Sequence, residues 1–134
     1  MFDRSIEENG LLAALEQEGI GCIAFSPLAQ GILTEKYLDG IPAGSRATKP
    51  ESFLKREAIT SEKIAKVEKL RGIARDRGQS MAQLALTWVC RHPQITSVLI
   101  GASNTSQIEE AVDITKNLDL GDQEMQAIAK ILAE

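Results

Sequence analysis

Four consecutive residues with hydrogen-bonding side chains, Ser103-Asn104-Thr105-Ser106, lie shortly after an apolar run and a glycine, Val98-Leu99-Ile100-Gly101. Apolar spacing resumes at Ile108, Ala111 and Val112. The pattern reads as strand, tight turn and helix N-terminus. The first turn of a helix leaves N–H groups without intrahelical partners, and the helix dipole adds partial positive charge beside them. No acidic side chain intrudes before Glu109. An anion such as a phosphate is the natural ligand for such a place. Ser103 or Thr105 could equally do no more than cap the helix, and this stretch alone leaves both roles open.

Ser26 stands in a comparable position. It follows the short run Ile20 to Phe25, which Gly19 and Pro27 flank. That brevity and those flanks predict a strand rather than a piece of helix. Both apolar runs are continuous rather than alternating, which predicts parallel strands covered on both faces. Other candidates for chemistry are few. The single histidine, His92, precedes Pro93 at the end of a helical pattern and reads as a C-terminal cap, not a base. One histidine makes no zinc cluster. Cys22 and Cys90 fall inside a predicted strand and a predicted helix and form no disulfide framework, so a reducing cytoplasm is the expected compartment.

The elements that must position these groups fit one small domain of 134 residues. A net charge of -4 without a basic cluster argues against nucleic acid as a partner. No apolar run approaches the length of a membrane span, and the charged N-terminus MFDRSIEENG does not resemble a signal peptide. Ser5 and Glu8 have the spacing of a capping box for a helix from Ile6 to Glu18. The connection from Ser26 to Ser45, and on to Ile59, has no sustained period; its length suggests a lid or binding loop, its charges a solvated one. Thr60 or Ser61 starts a helix with the stripe Ile64, Val67, Leu70, Ile73 and Ala74, ended by Gly78. Ser80 and Gln83 make a second capping box, before Met81, Leu84, Ala85, Trp88 and Val89 at helical spacing. A strand over 97–100, a helix carrying Ile108 to Thr115, and a last helix opened by Leu120 and Met125 complete the chain. Two strands flanked by helices are part of an α/β layer fold and leave strand edges uncovered.

Three motifs in order, FSPLAQGILTEKY, GIPAGSRA and SVLIGASNTSQIEE, resemble the aldo-keto reductase family. GQSMAQLALTWV between them resembles the branch of potassium-channel β subunits and bacterial glyceraldehyde-3-phosphate-type reductases. The resemblance covers nearly the whole chain. It implies a TIM (β/α)8 barrel, of which residues 1–134 look like the C-terminal part, with about the last two strands and their helices. Ile20 to Phe25 resembles the seventh strand and Val98 to Ile100 the eighth.

The resemblance further implies a bound NADPH and, in the complete protein, reduction of a small aldehyde or ketone substrate. Phe25, Ser26, Pro27, Leu28, Ala29 and Gln30 look like the segment along the pyrophosphate and nicotinamide. Lys36 and Arg46 resemble positions that reach the phosphates. Gly101 and Ser103 match the turn at the 2′-phosphate, and Gln107 and Glu110 the groups at the adenosine end. Glu35 departs from the family's usual glycine, and Ala111 from a frequent asparagine. The family's catalytic aspartate, tyrosine, lysine and histidine lie on earlier strands and have no counterpart here, so no catalytic residue is assigned. Lys36 and Tyr37 match a cofactor segment, not that set. A nucleotide-sensing regulatory module and an inactive remnant are the alternatives.

Exposed sheet edges would favour self-association into a homo-oligomer. The 134-residue chain is therefore expected to scatter light as an oligomer and to oxidise no NADPH with reactive aldehydes. A cooperatively unfolding monomer would refute the first expectation, and turnover above a mock-purified control the second.

Overall fold

The Ser80–Gln83 capping box forms at the head of the most deeply buried helix. Gln83 N–H donates to Ser80 Oγ at 3.1 Å, and Ser80 N–H donates to Gln83 Oε1 at 2.9 Å. The computed structural model describes residues 1–134. It orders them as helix α1 (Ser5–Glu8), α2 (Leu11–Glu18), strand β1 (Cys22–Phe25), α3 (Ser61–Asp76), α4 (Met81–Cys90), strand β2 (Ile95–Leu99), α5 (Thr105–Val112) and α6 (Asp122–Ala133). Short 3-10 turns punctuate the β1–α3 connection, and another, Asp113–Lys116, follows α5.

The hydrophobic core lies among helices. Val67, Leu70 and Ala74 of α3 meet Met81, Leu84, Ala85 and Trp88 of α4 and Ile128 of α6, all buried. Thr60 starts α3, its side chain accepting from Lys63 N–H at 3.2 Å. At the head of α6, Glu124 accepts from Gly121 N–H at 2.7 Å. The charges of the β1–α3 connection are solvated, Arg46, Lys49, Lys55 and Arg56 all being exposed, but most of its apolar side chains are not. Ile32, Leu33, Tyr37, Ala47 and Leu54 are buried in the same core. Its 3-10 turns satisfy backbone groups locally and let apolar side chains point inward without a sustained helix.

β1 and β2 pair in parallel, with Ile23 opposite Ser97, Ala24 opposite Val98 and Phe25 opposite Leu99. The register slips at Cys22/Ile23, which leaves Thr96 as the extra residue. Here the strands come close: a Cβ on Gly21 would sit 2.1 Å from Thr96 Oγ1, so any larger residue would force the Thr96 side chain to turn away.

Covering on both faces does not occur. Ala24 and Val98 are half-buried, whereas Ile23, Phe25 and Leu99 on the opposite face are exposed, Phe25 to 80%. A continuous apolar run encodes two apolar faces, but this two-stranded sheet has helices to cover only one of them. The strands also begin and end differently from expectation, as Cys22–Phe25 and Ile95–Leu99.

The N-terminal helix is two helices. Gly10 adopts φ 84° between α1 and α2, a conformation that breaks helical continuity. Ser5 is not a cap but the first helical residue, and its N–H donates to Asp3 Oδ1 at 2.9 Å.

α1 is pinned instead by charge. Glu7 Oε2 accepts from Arg4 Nε and Nη2 at 2.9 and 2.7 Å, and Glu7 Oε1 lies 2.8 Å from Arg91 Nη2. The Arg91 guanidinium stacks on Trp88, 3.6 Å from the ring centroid, and also donates to the Trp88 carbonyl. Arg91, not His92, thus satisfies the end of α4. His92 Nε2 is buried without a hydrogen-bond partner, 3.8 Å from Glu7 Oε1.

Burial, then the charge of Arg91, hold the His92 imidazole below its ordinary pKa against the weaker opposite pull of Glu7. The fold therefore favours neutral His92, and stability is present above the ordinary histidine range and lost as pH falls through it. Burial would raise the Glu7 carboxyl, but Arg91 and Arg4 outweigh it and hold it low, so its contribution disappears only at more acid pH. The urea midpoint is expected to fall between about pH 7 and about pH 5, and His92→Gln to flatten that slope. An unchanged slope in the variant would refute the assignment.

Candidate functional site: a groove at the carboxyl ends of the strands

Beyond the C-terminal ends of β1 and β2 lies a groove of about 540 Å³. Its size falls within the range of small-molecule and cofactor sites. One wall is the segment that leaves β1. Ser26, Ala29 and Gln30 all have positive φ, at 52°, 47° and 60°, followed by Gly31 at 99°. Three non-glycine residues in the left-handed region within five positions are unusual, and such strain concentrates at functional sites. Buried Pro27 and core-packed Leu28 anchor the segment while it makes this turn.

The opposite wall comes from the turn after β2. Asn104, rather than Ser103 or Thr105, caps α5: its Oδ1 accepts from Gln107 N–H at 3.1 Å. Gln107 reaches back to Ser103, its Oε1 accepting from Ser103 N–H at 2.8 Å and Ser103 Oγ at 3.2 Å. The turn is therefore fixed by its own polar groups. Ser106 Oγ donates to Asn104 Oδ1 at 2.7 Å, which leaves the acceptor of the cap fully used.

Two cations complete the groove. Arg46 lies against the turn, its Nη2 3.7 Å from where a Cβ on Gly101 would be. Lys36 Nζ stands 6.0 Å from the Tyr37 ring centroid. Neither has a carboxylate within 4.0 Å, although ion pairs are numerous elsewhere in the chain. Glu35 also lines the groove and has Arg71 3.9 Å away.

Of the twelve residues singled out in the sequence, ten line this groove: Ser26, Pro27, Leu28, Gln30, Lys36, Arg46, Gly101, Ser103, Gln107 and Glu110. Phe25 and Ala29 do not. Phe25 projects from the bare face of the sheet, and Ala29 packs toward the core. Sequence reasoning missed Ser80, Met81 and Ala82, which bring the first turn of α4 to the groove. Their capping box was legible as a helix start, but nothing local indicates that this start faces the turn after β2. The described residues hold no cluster of His, Cys, Asp or Glu suited to a metal ion.

Parallel strands with a strained loop, helix starts and unpaired cations at their carboxyl ends form an α/β unit whose groove lies where α/β folds place their ligand sites. A model of the aldo/keto reductase family matches residues 1–133, and the chain belongs to that family. It is 41% identical over 137 residues to the L-glyceraldehyde 3-phosphate reductase of Escherichia coli (strain K12), a match covering all of this chain and 40% of that protein. A probable voltage-gated potassium channel subunit beta of Arabidopsis thaliana is 40% identical over 119 residues, covering 85% of this chain and 36% of that protein. The structure of a glycerol dehydrogenase from Gluconobacter oxydans superposes with a TM-score of 0.77 at 25% identity, over 98% of this chain and 39% of that one. The chain thus spans about two-fifths of the length of these relatives, and its α/β fold resembles part of a TIM-barrel aldo-keto reductase. No helix is long and apolar enough to cross a membrane.

The strain at Gln30 gives a direct test of the first wall. Replacing a left-handed non-glycine residue by glycine relieves about 1 kcal/mol, partly offset by glycine's greater unfolded-state entropy. Gln30→Gly is expected to keep or slightly raise the urea midpoint, whereas Gln30→Pro should lower it sharply. A midpoint lowered by the glycine variant would show that the side chain, not the turn, holds this wall.

Proposed function

We propose that this chain forms the phosphate and adenosine side of an NADPH site in a carbonyl-reducing aldo-keto reductase. The observation that supports this most is the pair of unpartnered cations, Lys36 and Arg46, facing a groove that ends at the N-terminus of α5. Unpaired cations in a groove favour a multiply charged anion, and charge-assisted bonds to phosphate exceed ordinary ones in strength.

The residues fit the cofactor in the following way. Arg46, against Gly101, would hold a phosphate close to the turn after β2. Lys36 would neutralise the pyrophosphate from the β1 side. Ser103 would meet the 2′-phosphate by turning its O–H from Gln107 Oε1, 3.2 Å away, to donate to a phosphate oxygen, while its N–H continues to serve Gln107. Gln107 and Glu110 would bound the adenosine. The strained Ser26–Gly31 segment would flank the ribose and nicotinamide side. When bound, a nicotinamide cofactor supplies a hydride for reduction of a carbonyl. None of the groove residues is assigned the accompanying proton transfer; their part is binding and orientation. Similarity to a glyceraldehyde 3-phosphate reductase supports a small aldehyde as substrate of the whole protein, and similarity to a channel subunit supports a regulatory module as the second reading.

Calorimetry on the chain with 2′-phospho-ADP-ribose and ADP-ribose tests the site without the nicotinamide half. Binding of both is expected, tighter for the 2′-phosphorylated ligand. Arg46→Ala should weaken binding by about tenfold or more, the worth of one bond to a charged group. Absence of binding, or equal affinity of the variant, would refute the reading.

A further inference from the structure

We propose that Gln83, which does not itself line the groove, is a positioning residue that holds helix α5 and so sets the adenosine end of the site. This rests on the reading of the groove as a dinucleotide site. Helix α5 carries Gln107 and Glu110 and follows directly on Ser103, yet it buries no side chain. Ile108 and Val112, its large apolar residues, are at least half exposed. Its other side-chain hydrogen bonds are local to its own N-terminal turn and to the segment just after it. One bond reaches α5 from elsewhere in the chain: Gln83 Nε2 donates to the Glu110 carbonyl at 2.9 Å.

The same side chain has a second task at its other end, where Oε1 accepts from Ser80 N–H at 2.9 Å in the α4 capping box. A primary amide is the one common side chain of this length that can do both, accepting with its oxygen and donating with its nitrogen. It ties the start of α4, which borders the groove at Ser80–Ala82, to a carbonyl in the last turn of α5, the helix that carries Gln107 and Glu110. A glutamate can fill the capping task alone, because that task needs only an acceptor. The chemistry of the residue thus separates its structural role from its positioning role.

Gln83→Glu tests this. Hydrogen exchange should speed up in the amides of Thr105–Val112 while those in the first turn of α4 keep their protection. Affinity for 2′-phospho-ADP-ribose should fall about tenfold, the upper range for one hydrogen bond. Most of the loss should persist in about 0.5 M NaCl, where a through-space effect of the new charge would be screened. Unchanged exchange in α5, an affinity within twofold of the parent, or a loss abolished by salt would each overturn the proposal. If the glutamate variant does not fold, uncharged Gln83→Met replaces it. The same faster exchange in α5 is expected there, together with faster exchange at the head of α4, and protection of α5 at the parent level would overturn the proposal. Should the unaltered chain bind no dinucleotide fragment, the site reading falls, while the exchange comparison still decides whether Gln83 holds α5.

Discussion

Helix α4 is buried on nearly every side, and the positions of the other elements follow from that burial. Met81, Leu84, Ala85, Leu86, Thr87 and Trp88 lose almost all contact with solvent. Each large apolar side chain so buried is worth about 1.5–3 kcal/mol, so no neighbour of α4 can withdraw cheaply. On one side α3 closes over the helix, with α6 packed on α3 in turn, and β2 lies along another. The helix also delivers the Trp88–Arg91 stack that seats Glu7 and α1 below the strands. Its head reaches the groove above them. One buried helix thus connects the two ends of the sheet.

A division of labour follows from this arrangement. The groove is built from elements that differ greatly in how firmly they are held. The β1–α3 connection is rooted by Tyr37, Leu33 and Ile32 in the core, and this rooting lets Ser26, Ala29 and Gln30 adopt costly backbone angles. By contrast, α5 stands on the surface and is held by polar contacts. Local stability tends to be lowest where ligand-binding parts must adjust. Here Lys36 and Arg46 sit on the rooted side of the groove and Gln107 and Glu110 on the looser side.

Much of the local structure was legible because its causes are local. The Thr60 cap and the Ser80–Gln83 box both depend on residues within one turn of each other. The buried stripes of α3 and α4 are set by helical spacing. What the sequence hid has its cause in distant parts of the chain. Asn104 and its neighbours Ser103 and Thr105 are all competent caps, and the choice among them depends on which backbone angle the turn after β2 imposes. The helix expected from Ile6 to Glu18 runs through Gly10, a residue that weakens it, but the left-handed angle of this glycine lets α1 turn back so that Glu7 meets Arg91, a partner 84 positions away in sequence by the difference of their numbers. The β1–α3 connection lacks any period because its buried side chains answer to the surfaces of α3 and α4, not to a helix or strand of their own. Ten of the twelve residues singled out in the sequence do line one groove, but the participation of Ser80, Met81 and Ala82 required the fold.

The bare face of the sheet has a consequence for life inside a cell. Ile23, Phe25 and Leu99 present an apolar strip next to two strands whose outer edges carry unpaired backbone groups. Chaperones and quality-control proteases recognise unfinished proteins by this combination of greasy surface and available backbone. While that strip stays bare, the abundance of the chain depends less on how firmly its helices pack than on how soon some other polypeptide surface shields it. Residues that contribute almost nothing to the chain's own core would then govern its lifetime.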